Sequence, residues 1–145
     1  MEYKFYGHND CNMIKPITEE YEQIANPIVL YDLLKDIWCS YSCAPRMRIR
    51  WSKENMTLGQ CSITSFLVQD IFGGEVYGVP LGDGSYHCFN VVNGHMFDLT
   101  SEQFGDEKLI YNLNYPQSRE EHFQSDEKYK RYLYLVGEIR KKLAK

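Results

Sequence analysis

The sequence predicts an α+β fold in which a central apolar helix is followed by a small antiparallel sheet and flanked by helices at both ends. Three observations carry that prediction. Ile63, Phe66, Leu67 and Ile71 recur at helical spacing just ahead of Gly73-Gly74. Three apolar runs then follow, divided by Gly82-Asp83-Gly84 and by Asn93-Gly94, and the second divider is a strong signal for a two-residue hairpin turn. Leu30, Leu34, Ile37, Trp38 and Tyr41 early in the chain, and Tyr129, Tyr132, Leu133, Val136, Ile139 and Leu143 late in it, each make one stripe at the helical period.

In chain order, residues 1–25 have no sustained period and read as an irregular arm with at most one short helix. Asn26-Pro27 reads as an N-cap followed by proline at the first helical position, where its missing N–H costs nothing, so a helix is expected from Pro27 to Ser42. Cys43-Ala44-Pro45 ends it, because the residue before proline is pushed out of the helical region. A connection to Gly59 follows, long enough to wall a cleft. In that connection Arg46, Arg48 and Arg50 alternate; if extended they share one side, suiting a solvated strand edge or a grip on a carboxylate.

The central helix runs from Cys61 to Phe72. Strands are expected at Glu75–Leu81, Ser85–Val92 and His95–Thr100, with a further short one at Leu109–Leu113. Ser125 caps the last helix, and Arg140, Lys141 and Lys142 near its carboxyl end favour the helix dipole. Asp70 sits in the last turn of the central helix, where a negative charge opposes the dipole, so a local compensating partner such as an arginine is expected.

Composition narrows the classes. The chain of 145 residues, 43% apolar and 25% charged, is that of a single folded domain with a packed core. A net charge of −4 lacks the basic face that phosphate neutralisation needs, so no nucleic acid is expected as partner. No apolar stretch is long enough for a bilayer, and the expectation is a cytoplasmic protein without a membrane partner. Five irregularly spaced cysteines cannot all pair within the chain, which suits a reducing compartment. The pairs His8/Cys11 and Cys39/Cys43 have permissive metal spacing, but buried thiols are the expectation; no metal or cofactor is predicted.

Cys61 carries the chemistry. It opens the central helix, where the macrodipole and free N–H groups favour a thiolate, and Gly59 lets the backbone approach a substrate. Gln60 and Asn55 are candidates to line the cleft or add an oxyanion donor. A two-residue turn at Asn93-Gly94 sets the hairpin register, pairing Val92 with His95, Val91 with Met96, Asn90 with Phe97 and Phe89 with Asp98. His87 and Asp98 then lie diagonally on one face, about 7 to 8 Å apart along the backbone, a gap that their side chains can bridge. Asn90 belongs to the opposite face. Taken singly, each residue has an ordinary structural role; together Cys61, His87 and Asp98 have the types and order of a nucleophile, base and orienting acid.

Gly59-Gln60-Cys61, His87-Cys88-Phe89-Asn90 and Asp98-Leu99-Thr100 resemble the transglutaminase-like pattern of Gly-x-Cys, His-x-aromatic-Asn and Asp-x-Thr. With Val68-Gln69-Asp70-Ile71-Phe72-Gly73-Gly74 and Asp98-Leu99-Thr100-Ser101-Glu102-Gln103-Phe104, residues 30–105 more closely resemble the YunG-like family of small bacterial proteins. Cys88 departs from the pattern, standing where related proteins often carry a large aromatic. The resemblance implies a papain- or transglutaminase-like fold and the same three residues as catalytic, but no substrate. The expected function is acyl transfer on an amide or ester, by hydrolysis, deamidation or transfer, with a peptide, a protein or a small molecule as substrate. The competing expectation is a papain-like module that binds a peptide or protein without turnover.

Overall fold

The helix that begins at Cys61 is enclosed on nearly every side, which is why its sequence is apolar or small almost throughout. In the computed structural model, which describes residues 2–144, it spans Cys61–Phe72, and every residue from Ser62 to Val68 is buried. It is preceded by helix α1 (Pro27–Leu34), so we label it α2; α3 (Arg119–His122) and α4 (Asp126–Leu143) complete the helical set. Strands β1 (Glu75–Pro80), β2 (Tyr86–Val92) and β3 (His95–Phe97) make one antiparallel sheet in the order β1-β2-β3. The sheet and α4 pack on α2, and buried side chains from each of them join one core.

Asn93 and Gly94 both adopt positive φ, 52° and 81°, the backbone of a two-residue hairpin turn. The register is therefore the expected one: Val92 opposes His95, Val91 opposes Met96 and Asn90 opposes Phe97. β3 nevertheless stops at Phe97 and does not reach Thr100. Asp98 instead bridges to Tyr6, donating its N–H to the Tyr6 carbonyl at 2.9 Å, so the amino-terminal arm takes over the pairing. That arm is irregular apart from a 3₁₀ turn at Glu19–Tyr21, and it sends Phe5, Cys11, Ile14, Tyr21 and Ile24 into the core.

Three expectations of local structure fail. α1 ends at Leu34, not Ser42. Beyond it the Cys39 N–H is taken by Ser42 Oγ at 3.0 Å, the Cys39 carbonyl by Gln60 Nε2 at 3.1 Å, and Trp38 Nε1 by Thr64 Oγ1 at 3.0 Å. Arg46, Arg48 and Arg50 lie on a 3₁₀ turn (Pro45–Arg50), where alternation does not align side chains. Arg48 folds back to donate to the carbonyls of Ser40 and Tyr41 at 3.0 and 2.8 Å. No strand forms at Leu109–Leu113; residues just beyond edge the sheet, with Gly78 N–H donating to Tyr115 and Gln117 N–H to Val76.

α4 is capped as expected, Ser125 Oγ accepting from the Lys128 N–H at 3.2 Å. Its buried stripe contains Leu135 and Arg131, while Leu133 and Tyr129 point outward. Asp70 has its compensating cation: Arg119 Nη2 stands 2.7 Å away, and the Tyr132 hydroxyl also donates to it. No helix among the described residues is long and apolar enough to cross a membrane.

Candidate active site

Gly59 sets the approach to Cys61. Its φ of 71° is in the left-handed region, and a β-carbon there would stand 2.5 Å from Cys43 Sγ. The loop thereby packs tightly on residues 43–44, with the Ala44 N–H donating to the Gly59 carbonyl at 2.9 Å. No side chain caps the start of α2, so its first-turn N–H groups stay open to negative charge on Cys61 or on a bound oxyanion.

His87 Nε2 and Asp98 Oδ2 are 2.6 Å apart, and each residue is only 1% exposed. A carboxylate only accepts, so Nε2 carries the proton and donates it; Nδ1 is left as the nitrogen that can take a proton from a thiol. Asp98 is held on every side. The Tyr111 hydroxyl donates to Oδ2 at 2.7 Å, while Thr100 donates its N–H and its hydroxyl to Oδ1 at 3.1 and 3.2 Å. Phe104 packs edge-on against the imidazole with ring centroids 4.7 Å apart.

The thiol faces two partners. A hydrogen bond from the Cys88 thiol, then the positive charge and hydrogen bond of His87, hold Cys61 well below the ordinary thiol value against the opposing effect of burial. The same bond pushes Cys88 well above it. Burial works against a charged His87, yet the charges of Asp98 and of the Cys61 thiolate outweigh it and raise the imidazole to about 10. The favoured state is thus a thiolate beside an imidazolium. Cys88, which stood out in the sequence only as a departure from a pattern, is the donor that does most to lower Cys61.

Cys61 and His87 open onto a cleft of about 1090 Å³, walled by the Pro45–Arg50 turn, residues 115–118, His122 and the first turns of α4. His122 was not singled out in the sequence. Its Nε2–H donates to Gln117 Oε1 at 2.8 Å, its Nδ1 accepts from Lys128 Nζ at 2.9 Å, and burial together with that ammonium lowers it to about 4. It is therefore a neutral wall residue. Gln60 does not line the cleft: it is fully buried and its amide is spent on the Cys39 carbonyl. Asn55, in the 3₁₀ turn Lys53–Asn55, is also absent from the cleft lining. Asn90 faces α2, donating to the Ser65 carbonyl at 2.9 Å.

Two further residues support the site. Gln103 Nε2 donates to the carbonyls of Thr57 and Thr100 at 3.1 and 2.9 Å, and its Oε1 accepts from the Gly59 N–H at 3.5 Å. It stitches the loop before the thiol to the segment after the carboxylate. Gln103 and Phe104 are the last two residues of the Asp98–Phe104 motif, which was the available signal; Tyr111 had none. Of the thiols in the two permissive metal pairs, Cys11 and Cys43 are buried, Cys43 directly beneath Gly59, and Cys39 Sγ lies 3.6 Å from the Tyr134 hydroxyl.

The family model described as YunG protein matches residues 26–144. This chain belongs to the YunG family. A relative named Uncharacterized protein YunG, from Bacillus subtilis (strain 168), is 37% identical over 91 residues, covering 63% of this chain and 72% of that protein. No solved structure matches.

Proposed function

We propose that this YunG-family protein is a thiol enzyme of acyl transfer, acting on an amide or ester. The observation that carries the reading is the buried 2.6 Å contact of His87 with Asp98 beside a thiol that opens onto a cleft. The Cys61 thiolate attacks the carbonyl carbon, and the bond to the nitrogen or oxygen leaving group breaks as His87 gives that group a proton. The acyl-thioester left on Cys61 then passes its acyl group to water or to an amine that has lost its proton to His87. The open N–H groups at the start of α2 stabilise the oxyanion, a task for which Gln60 and Asn55 are not placed. A nucleophile at a buried helix start, with base and acid on the adjoining sheet region in the order Cys61, His87, Asp98, supports a papain- or transglutaminase-like reading of the fold.

Alkylation of Cys61 by iodoacetamide as a function of pH tests the reading, with Cys61→Ser subtracting the other four thiols. The rate is expected to turn on well below the roughly 8.5 of a free cysteine. A midpoint at or above that value overturns the reading and favours a binding module without turnover. Turnover on a panel of amides and esters, absent in Cys61→Ala, is the direct measure.

A further inference from the structure

The cleft is cationic in an acidic protein. Arg46, Arg50, Lys128 and Arg131 line it against Glu121 and Glu127, although the chain carries a net charge of −4. Most of these charges are committed. Glu127 pairs with Arg131 and also faces Arg48 at 3.7 Å, and Arg46 faces Asp83 at 3.8 Å. Among the described residues no carboxylate pairs with Arg50 or Lys128. The exposed Glu121 is the single lining carboxylate not drawn into a pair.

Lys128 is the better placed of the two cations. It is half-buried, and among the described residues its ammonium makes one hydrogen bond, to a neutral acceptor, His122 Nδ1, at 2.9 Å. That bond fixes the ammonium without cancelling its charge and leaves two of its three protons free. Lys128 and its partner His122 line the same cleft as the reacting Cys61. Arg50 comes from the Pro45–Arg50 turn, on another wall of the same cleft.

We propose that Lys128, helped by Arg50, binds a carboxylate on the acyl part of the substrate. The substrate class is then an amide or ester of an acidic residue or of a dicarboxylic acid, with its free carboxylate close to the reacting carbonyl. This deepens the acyl-transfer reading and rests on Cys61 being the reacting atom. A cation that meets its carboxylate only in the complex contributes to selection and to orientation, because the acyl group is held at two points.

The test needs no substrate. Iodoacetate and iodoacetamide both alkylate the Cys61 thiolate, sulfur bonding to the methylene carbon as iodide leaves, so the ratio of their rates is independent of the thiolate fraction. That ratio is expected to fall about fivefold in Lys128→Met, the upper end for one partly exposed charge pair. Lys128→Arg should keep it, and Arg50→Gln should lower it by less. In the wild type, added salt should slow iodoacetate and leave iodoacetamide unaffected; this arm stands even if Lys128→Met fails to fold. A ratio in Lys128→Met within about twofold of wild type, or a salt-insensitive wild-type ratio, overturns the carboxylate anchor and leaves acyl transfer standing. A thiol that meets iodoacetamide no faster than free cysteine removes acyl transfer, while the ratio still reports on the anchor.

Discussion

The two ends of the candidate site are built differently. Around Asp98 every acceptor position is occupied, by His87, Tyr111 and Thr100, and Phe104 covers the ring. Around Cys61 the polar groups are less settled: the helix start has no side-chain cap, and the buried Thr57 Oγ1 and Gln60 Oε1 have no partner among the described residues. The cleft walls there are charged and accessible. The difference separates two requirements of one reaction. A base must be held in one tautomer and orientation before substrate arrives, whereas a nucleophile must leave room and unspent donors for it.

That contrast breaks most sharply at the sulfur. Cys61→Ala is expected to lower kcat/KM by about a thousandfold or more while the protein still unfolds in a cooperative thermal transition, since the thiol faces a cleft; His87→Ala should be comparably damaging to turnover. A substrate panel with thermal unfolding as control checks both. Asp98→Asn should cost less activity, on the order of a hundredfold, because the imidazole remains a base that is merely worse oriented. It should also cost about 2 kcal/mol in a denaturant titration, as a buried amide cannot accept from all four donors now satisfied. An unchanged stability would mean that the closed end is less closed than its geometry indicates.

The open end has one rigid point. Gly59→Ala places a β-carbon 2.5 Å from Cys43 Sγ at a φ of 71° and is expected to cost about 2 kcal/mol. Tyr111→Phe should cost about 1 kcal/mol, the value of one hydrogen bond, because its stacking on Tyr6 at a centroid distance of 3.8 Å is retained.

The pH dependence of stability is the subtlest comparison. Folding raises His87 from 6.5 to about 10, so its contribution is complete below 6.5 and is lost as pH climbs through about 10. Cys61 is lowered instead, so its contribution is complete above 9.0 and is lost as pH falls through its depressed value. Where both ranges overlap the slopes oppose each other. Stability is therefore expected to be nearly flat through the neutral range and to fall above about pH 9, where the raised thiols of Cys88 and Cys11 add to the loss because they keep their protons only in the folded protein; His87→Gln should make that fall shallower in thermal unfolding curves.

Part of this was legible in the residues. Asn93-Gly94 alone determined the hairpin register, because a two-residue turn admits one pairing, and Asp98 meets His87 one residue beyond that ladder, where the Phe89–Asp98 pair gives way to a bridge with Tyr6. The start of α2 at Cys61, its stop at Gly73 and the caps at Asn26 and Ser125 are likewise local choices of backbone and neighbouring side chain. What the sequence could not determine depends on groups far apart in the chain. α1 ends at Leu34 because Gln60 and Thr64 claim the segment beyond it, and Tyr111 reaches Asp98 from a stretch with no regular structure. Periodicity and turn chemistry report on the nearest few residues, so they locate the nucleophile, base and acid. Only packing decides which distant donors satisfy them and which charges are left over to face the cleft.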